Sequence, residues 1–109
     1  MDMKTRRYSV IDSIEIAAPP ARVLESLAAD EVALGDLRFA VESRTPNGLA
    51  LACAPDAEPA DCAGTHAWLA VAPMREGTRV AIVHSQLSAR AYEVLVDRWR
   101  AFLAKLAAA

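Results

Sequence analysis

The sequence predicts an α+β domain: an antiparallel sheet of about five strands followed by one long C-terminal helix. Three observations carry this. Short runs of alternating apolar residues are separated by turn residues, no helical pattern interrupts the runs between residues 37 and 87, and from residue 89 onward apolar side chains recur at helical spacing. A chain of 109 residues supplies one core, so residues 1–109 are expected to form a single domain with a flexible arm over 1–7.

The first strand is YSVIDSIEIA (8–17), whose Val10, Ile14 and Ile16 share a face. Pro19-Pro20 ends it, and proline is tolerated in the first turn of a helix, where its missing N–H has no partner to lose. A helix over 20–29 follows, with Val23, Leu24 and Leu27 on one side. LRFAVESR (37–44) alternates cleanly, placing Leu37, Phe39 and Val41 opposite Arg38, Glu42 and Arg44. TPNG (45–48) turns the chain into LALAC (49–53). A three-residue loop Pro46-Asn47-Gly48 with Gly48 left-handed pairs odd positions with odd, so Leu49, Leu51 and Cys53 join the face of Phe39 and Val41.

Residues 54–63 are acidic, hold two prolines and read as a loop. GTHAWLAVAP (64–73) is a strand with a weaker pattern, Ala67, Leu69 and Val71 opposing His66, Trp68 and Ala70. In TRVAIVHSQL (78–87), Arg79 and Ser85 suit water, which turns Val80, Ile82 and His84 inward. A four-residue loop Met74–Gly77 aligns Val80 and Ile82 with Val71 and Leu69, while a three-residue loop sets Trp68 beside His84; the sequence leaves both registers open. Ser88 is the expected N-cap of a helix over 89–107. Tyr92, Leu95, Val96, Trp99, Phe102, Leu103 and Leu106 form its apolar stripe.

Composition narrows the function. With 54% apolar and 24% charged residues and a net charge of −2, the chain offers no field for nucleic acid or an anionic membrane. Lys4, Arg6 and Arg7 are the only basic cluster, expected to be a solvated arm. No apolar run suits a signal peptide or a membrane span, which points to the cytoplasm. There, Cys53 and Cys62 are expected as reduced thiols, a disulfide across 53–62 being the alternative. Their spacing is not that of a zinc site, and neither metal nor cofactor is expected.

Two stretches carry a family resemblance. SIEIAAPPARVLESLA (13–28) is similar to the opening strand, prolines and helix of the START-like (SRPBCC) superfamily. GTRVAIVHSQL (77–87) with YEVLVDRWRAFLAKL (92–106) resembles the closing strand and helix of its branch related to activators of the heat-shock-protein-90 ATPase. RTPNGLAL (44–51) fits the hairpin between them less specifically. The resemblance implies a helix-grip fold, in which the antiparallel sheet is curved and wraps the long C-terminal helix. Members usually place a second short helix and an additional strand pair before the strand that corresponds to 37–44; here only DEVALG, Asp30 to Gly35, fills that interval. A domain shortened in this way is expected to have a small or side-open cavity and an exposed sheet edge that invites a partner.

The function implied is non-catalytic binding of a small hydrophobic molecule between sheet and helix. Phe39, Val41, Cys53, Leu69, Ile82, His84, Tyr92 and Trp99 would line that space. The alternative is an interaction module, a homodimer or a co-chaperone-like partner in stress response, with Trp68 at the interface. A cyclase- or hydrolase-like enzyme is the third reading, casting His84 with Tyr92 or Asp12 as acid and base, but the sequence pairs no base with a nucleophile and no catalytic residue is assigned. His66 and His84 approaching across the hairpin would still lack the carboxylate a metal site needs.

Overall fold

The structure, a computed structural model, describes residues 6–108. Of the expected arm, residues 1–5, Lys4 included, lie outside the described residues, and Arg6 and Arg7 are exposed. The elements are β1 (Tyr8–Ile16), α1 (Pro20–Ser26), β2 (Glu31–Leu34), β3 (Leu37–Thr45), β4 (Gly48–Cys53), β5 (His66–Met74), β6 (Gly77–Leu87) and α2 (Ala89–Ala108). All neighbouring strands are antiparallel, in the order β1-β6-β5-β4-β3-β2. α2 packs on β1 and β6 and also on β2, the strand at the opposite end of that order. One helix can touch both ends of a six-stranded sheet only if the sheet curls around it.

The sheet therefore has six strands, where the sequence pattern suggested five. The addition is β2, whose Val32 and Leu34 are buried while Glu31 and Ala33 face out. Leu34 pairs with Leu37 across Gly35-Asp36, and Gly35 has φ +66°, a glycine-first two-residue hairpin loop. α1 is shorter than the 20–29 expected. Arg44 on β3 donates to the carbonyl oxygens of Leu27, Ala28 and Ala29 at 2.7, 3.4 and 3.0 Å, supplying partners that a longer helix would have supplied itself.

The β3–β4 hairpin reaches the expected faces by another route. Its loop is Pro46-Asn47, with Thr45 opposite Gly48, and a bulge between Val41 and Ser43 then restores Val41 to Leu51 and Phe39 to Cys53. Gly48 has φ +150°, and a Cβ there would collide with the carbonyl oxygen of Leu69. In the β5–β6 hairpin Val71 pairs with Val80 and Leu69 with Ile82, the register of the four-residue alternative, so Trp68 is outside and His84 inside.

Near its end β6 bulges: one residue separates Tyr8 from Val10 on β1, while two separate their partners Leu87 and His84. Gln86 takes φ +61° in this bulge. The extra residue lets His84 and Leu87 both point inward although they differ in parity. Ser88 caps α2 as expected, its Oγ accepting from the N–H of Ala91 at 3.1 Å and donating to Asp61 at 2.9 Å. Ala91, Leu95, Trp99 and Leu103 form the most buried line of α2.

Candidate functional site

The concave side of the sheet meets α2 around Trp99. Trp99, Phe39, Leu69, Ile82 and His84 are completely buried, and Cys53 nearly so. The Phe39 ring lies 5.2 Å from Trp99 and 5.5 Å from the His84 ring, edge-on to the latter. Val41 and Tyr92, the other two residues expected to line a binding space, are half-buried, and Tyr92 packs against Tyr8 at 5.6 Å. The structure thus brings the expected residues into one core and fills the middle of it with their own side chains.

His84 belongs to a closed hydrogen-bond chain. The Thr65 hydroxyl lies 2.7 Å from the carbonyl oxygen of Cys62, to which it donates its single proton. It can therefore only accept from His84 Nε2, 2.8 Å away. Nδ1, in turn, accepts from the indole Nε1 of Trp99 at 3.0 Å. This assigns the neutral Nε2–H tautomer and occupies both ring nitrogens. Burial, with a smaller contribution from His66, pushes the His84 pKa down to about 4. The ring holds Trp99 and the Gly64–Thr65 segment together, and neither nitrogen is free to meet a substrate.

The other candidate pairings come apart. His66 lies on the outer face beside Glu42, on the opposite side of the sheet from His84. Asp12 accepts from the Ser13 N–H at 2.8 Å and pairs with Arg100 at 3.7 Å. Cys53 and Cys62 are buried free thiols. Burial, and then the neighbouring Cys62, pushes Cys53 up to about 11, and burial and Asp61 raise Cys62. Both are thus held as thiols rather than thiolates. Among the described residues no cluster of side chains is arranged to hold a metal ion, and no helix is long and apolar enough to cross a membrane.

Space for a small molecule lies beside this core. A cleft of about 390 Å³ opens between the β2–β3 turn and α2, lined by Ala33, Leu34, Gly35, Ala101 and Phe102, with Asp97, Arg98 and Lys105 around it. Phe102 forms its inner wall and stands perpendicular to Trp99 with ring centres 5.6 Å apart. Arg98 braces the cleft by donating to the Leu34 carbonyl at 3.1 Å and to Asp36 at 2.6 Å, and it holds the Asp36 carboxyl below its usual range. A broader cleft of about 510 Å³ at the β5–β6 turn is walled by Glu15, Arg75 and Glu76 and is less suited to an apolar guest. Sequence reasoning missed the cleft because one of its two walls is β2 and the turn after it, and it missed Thr65 because an isolated threonine in a loop has no periodic signal.

No family model and no curated protein matches the sequence. Solved structures do match its fold. The chain superposes on the solution structure of the Aha1 dimer from Colwellia psychrerythraea with TM-score 0.73 at 17% identity, covering 92% of this chain and 93% of that one. For the protein MLL2253 from Mesorhizobium loti the values are 0.74, 18%, 91% and 93%. For an AHSA1-like protein from Rhizobium etli they are 0.69, 17%, 98% and 84%. At these identities the likeness is one of fold, and the chain has the helix-grip fold of START-like proteins. Within that class its fold neighbours include Aha1-like proteins, the branch that the closing strand and helix resemble. Two of these neighbours are of comparable length, so a helix-grip chain this short is not peculiar to this sequence.

Proposed function

We propose that the protein is a non-catalytic binding module that takes a small apolar molecule between the sheet edge and α2. The cleft walled by Ala33, Leu34, Ala101 and Phe102 carries this reading. Its volume of about 390 Å³ falls in the range of small-molecule sites, and its apolar wall with a few charged groups at the rim is their usual chemistry. The guest rests on Phe102, one ring away from Trp99. None of the eight residues expected to line a binding space lines this cleft; behind Phe102 stands Trp99, packed on Phe39 and bonded to His84. The closed hydrogen-bond chain of His84 supports a role without catalysis, and the buried, protonated thiols suit a single domain working in a reducing cytoplasm.

Titration with anilinonaphthalene sulfonate tests this reading. Saturable fluorescence enhancement is expected for the native protein, and Phe102→Ser should weaken it about tenfold by removing the inner wall. Enhancement without saturation, or unchanged by that substitution, contradicts it.

A protein partner, a second copy of the chain included, is the second reading. It is favoured by the exposure of Trp68 on the outer face, an aromatic residue of the kind that anchors interfaces. A fold neighbour solved as a dimer gives it further support.

A further inference from the structure

The convex face of the sheet carries a row of large apolar side chains on three adjacent strands. Ile11 on β1 pairs with Val83 on β6, and Val83 pairs with Trp68 on β5. They are 72%, 38% and 36% exposed. The row continues on β4 at Ala50, opposite Trp68. On one side it is flanked by Ser13, Ala81, Ala70 and Gly48, which are themselves paired in sequence across four strands. The alternation of β1 and β6 would ordinarily put polar residues at Ile11 and Val83, since their inward neighbours already supply the core. A contiguous apolar row on the solvent face of a sheet marks a contact surface.

We infer that this convex face, centred on Val83, is where a second copy of the chain docks, sheet against sheet. The inference rests on the protein-partner reading and specifies its surface. The charges around the row favour a copy over a charged partner. The row itself carries no charged side chain, and at one end Arg79 pairs with Glu15 of the same molecule at 3.0 Å, which leaves a neutral centre. What fits a neutral apolar row flanked by alanines is another such row. A two-fold axis along β6 sets Val83 on Val83 and the bulky Trp68 over Ile11 of the other copy, and the small flanking side chains let two sheets approach to the ~10 Å of stacked sheets.

Edge-to-edge joining through β1 is less favoured. Asp12 occupies the Ser13 N–H, and Arg100 holds Asp12, which blunts the strand as a template. Area sets the strength of the face-to-face contact. Strands ~4.8 Å apart and ~3.3 Å per residue give the patch roughly 400 Å² in plan, about half of the ~800 Å² per partner of a standard interface. The dimer is therefore a weak one that dissociates on dilution through the micromolar range.

Sedimentation equilibrium of the full chain from micromolar to millimolar concentration, with Ile11→Glu and Val83→Glu, tests this. Both positions are exposed, and circular dichroism verifies that the variants keep the fold. A concentration-dependent dimer that either substitution weakens at least about tenfold is the expected result, because Glu at position 83 would meet its own copy across the axis and Glu at position 11 would be desolvated against Trp68 of the other copy. A native protein that stays monomeric throughout overturns self-association itself. A dimer unaffected by both substitutions overturns this surface while leaving self-association standing.

Discussion

The indole of Trp99 donates its only proton to Nδ1 of His84, joining the centre of α2 to the inner face of β6 at 3.0 Å. The bond fixes what His84 is. Its other nitrogen is committed to Thr65, so the one buried histidine of the described residues is a neutral structural link rather than a working acid or base.

Stability should fall as the pH is lowered from about 6.5 to about 4. The His84 pKa is depressed to about 4 in the folded protein against 6.5 for the free side chain, so between those values the unfolded chain binds the proton and the folded one does not. The contribution is fully present above 6.5 and is lost progressively down to the folded pKa, up to about 3 kcal/mol in all. Urea denaturation at a series of pH values reads it directly. His84→Gln, destabilised at neutral pH, should show a shallower slope across this window.

Trp99→Phe should destabilise the protein by about 2–4 kcal/mol. The substitution leaves His84 Nδ1 a buried acceptor without a donor, and it opens space in a core where Trp99 has no solvent exposure. Denaturant midpoints measure the loss. A change under about 1 kcal/mol would mean that water or another donor replaces the indole.

Gly48→Ala should be among the most damaging single substitutions, about 2 kcal/mol or more. The residue has φ +150°, and a methyl group would strike the backbone oxygen of Leu69, which cannot move aside as a side chain can. A thermal melt of the variant settles it, and an unchanged midpoint would contradict the hairpin geometry.

Arg98→Ala should loosen β2 in preference to the rest of the sheet. Arg98 is the side chain that ties α2 to the Leu34 carbonyl and to Asp36 at the β2–β3 turn. Amide exchange over Glu31–Leu34 should accelerate about tenfold or more while the β5 and β6 amides keep their protection. Equal acceleration everywhere would mean that Arg98 supports the whole fold rather than the edge of the cleft.

The parts of this architecture that were legible in the sequence are those written in period. Leu37, Phe39 and Val41 announced β3, the stripe through Leu95, Trp99 and Leu103 announced α2, and Ser88 announced the start of that helix. β2 escaped because its four residues hold only two large apolar side chains, Val32 and Leu34, and Ala33 between them blurs the alternation. The faces of β3 and β4 came out as expected although the loop did not, because the bulge after Val41 offsets the shorter turn. The bulge at Gln86 did leave a trace, since Leu87 breaks the even-numbered run of Val80, Ile82 and His84. The site was legible only as a list of inward-facing residues. Whether such side chains enclose a space or fill it depends on packing across strands far apart in sequence, and here they fill it, moving the open space to Phe102.

The most direct test of the binding account is a titration of isotope-labelled protein with decanoate, followed residue by residue by nuclear magnetic resonance. Saturable shifts concentrated at Ala33, Leu34, Ala101 and Phe102 are expected, with the Trp99 indole proton moving but its bond to His84 intact. Shifts confined to other surfaces, or no saturable shifts at all, would contradict it.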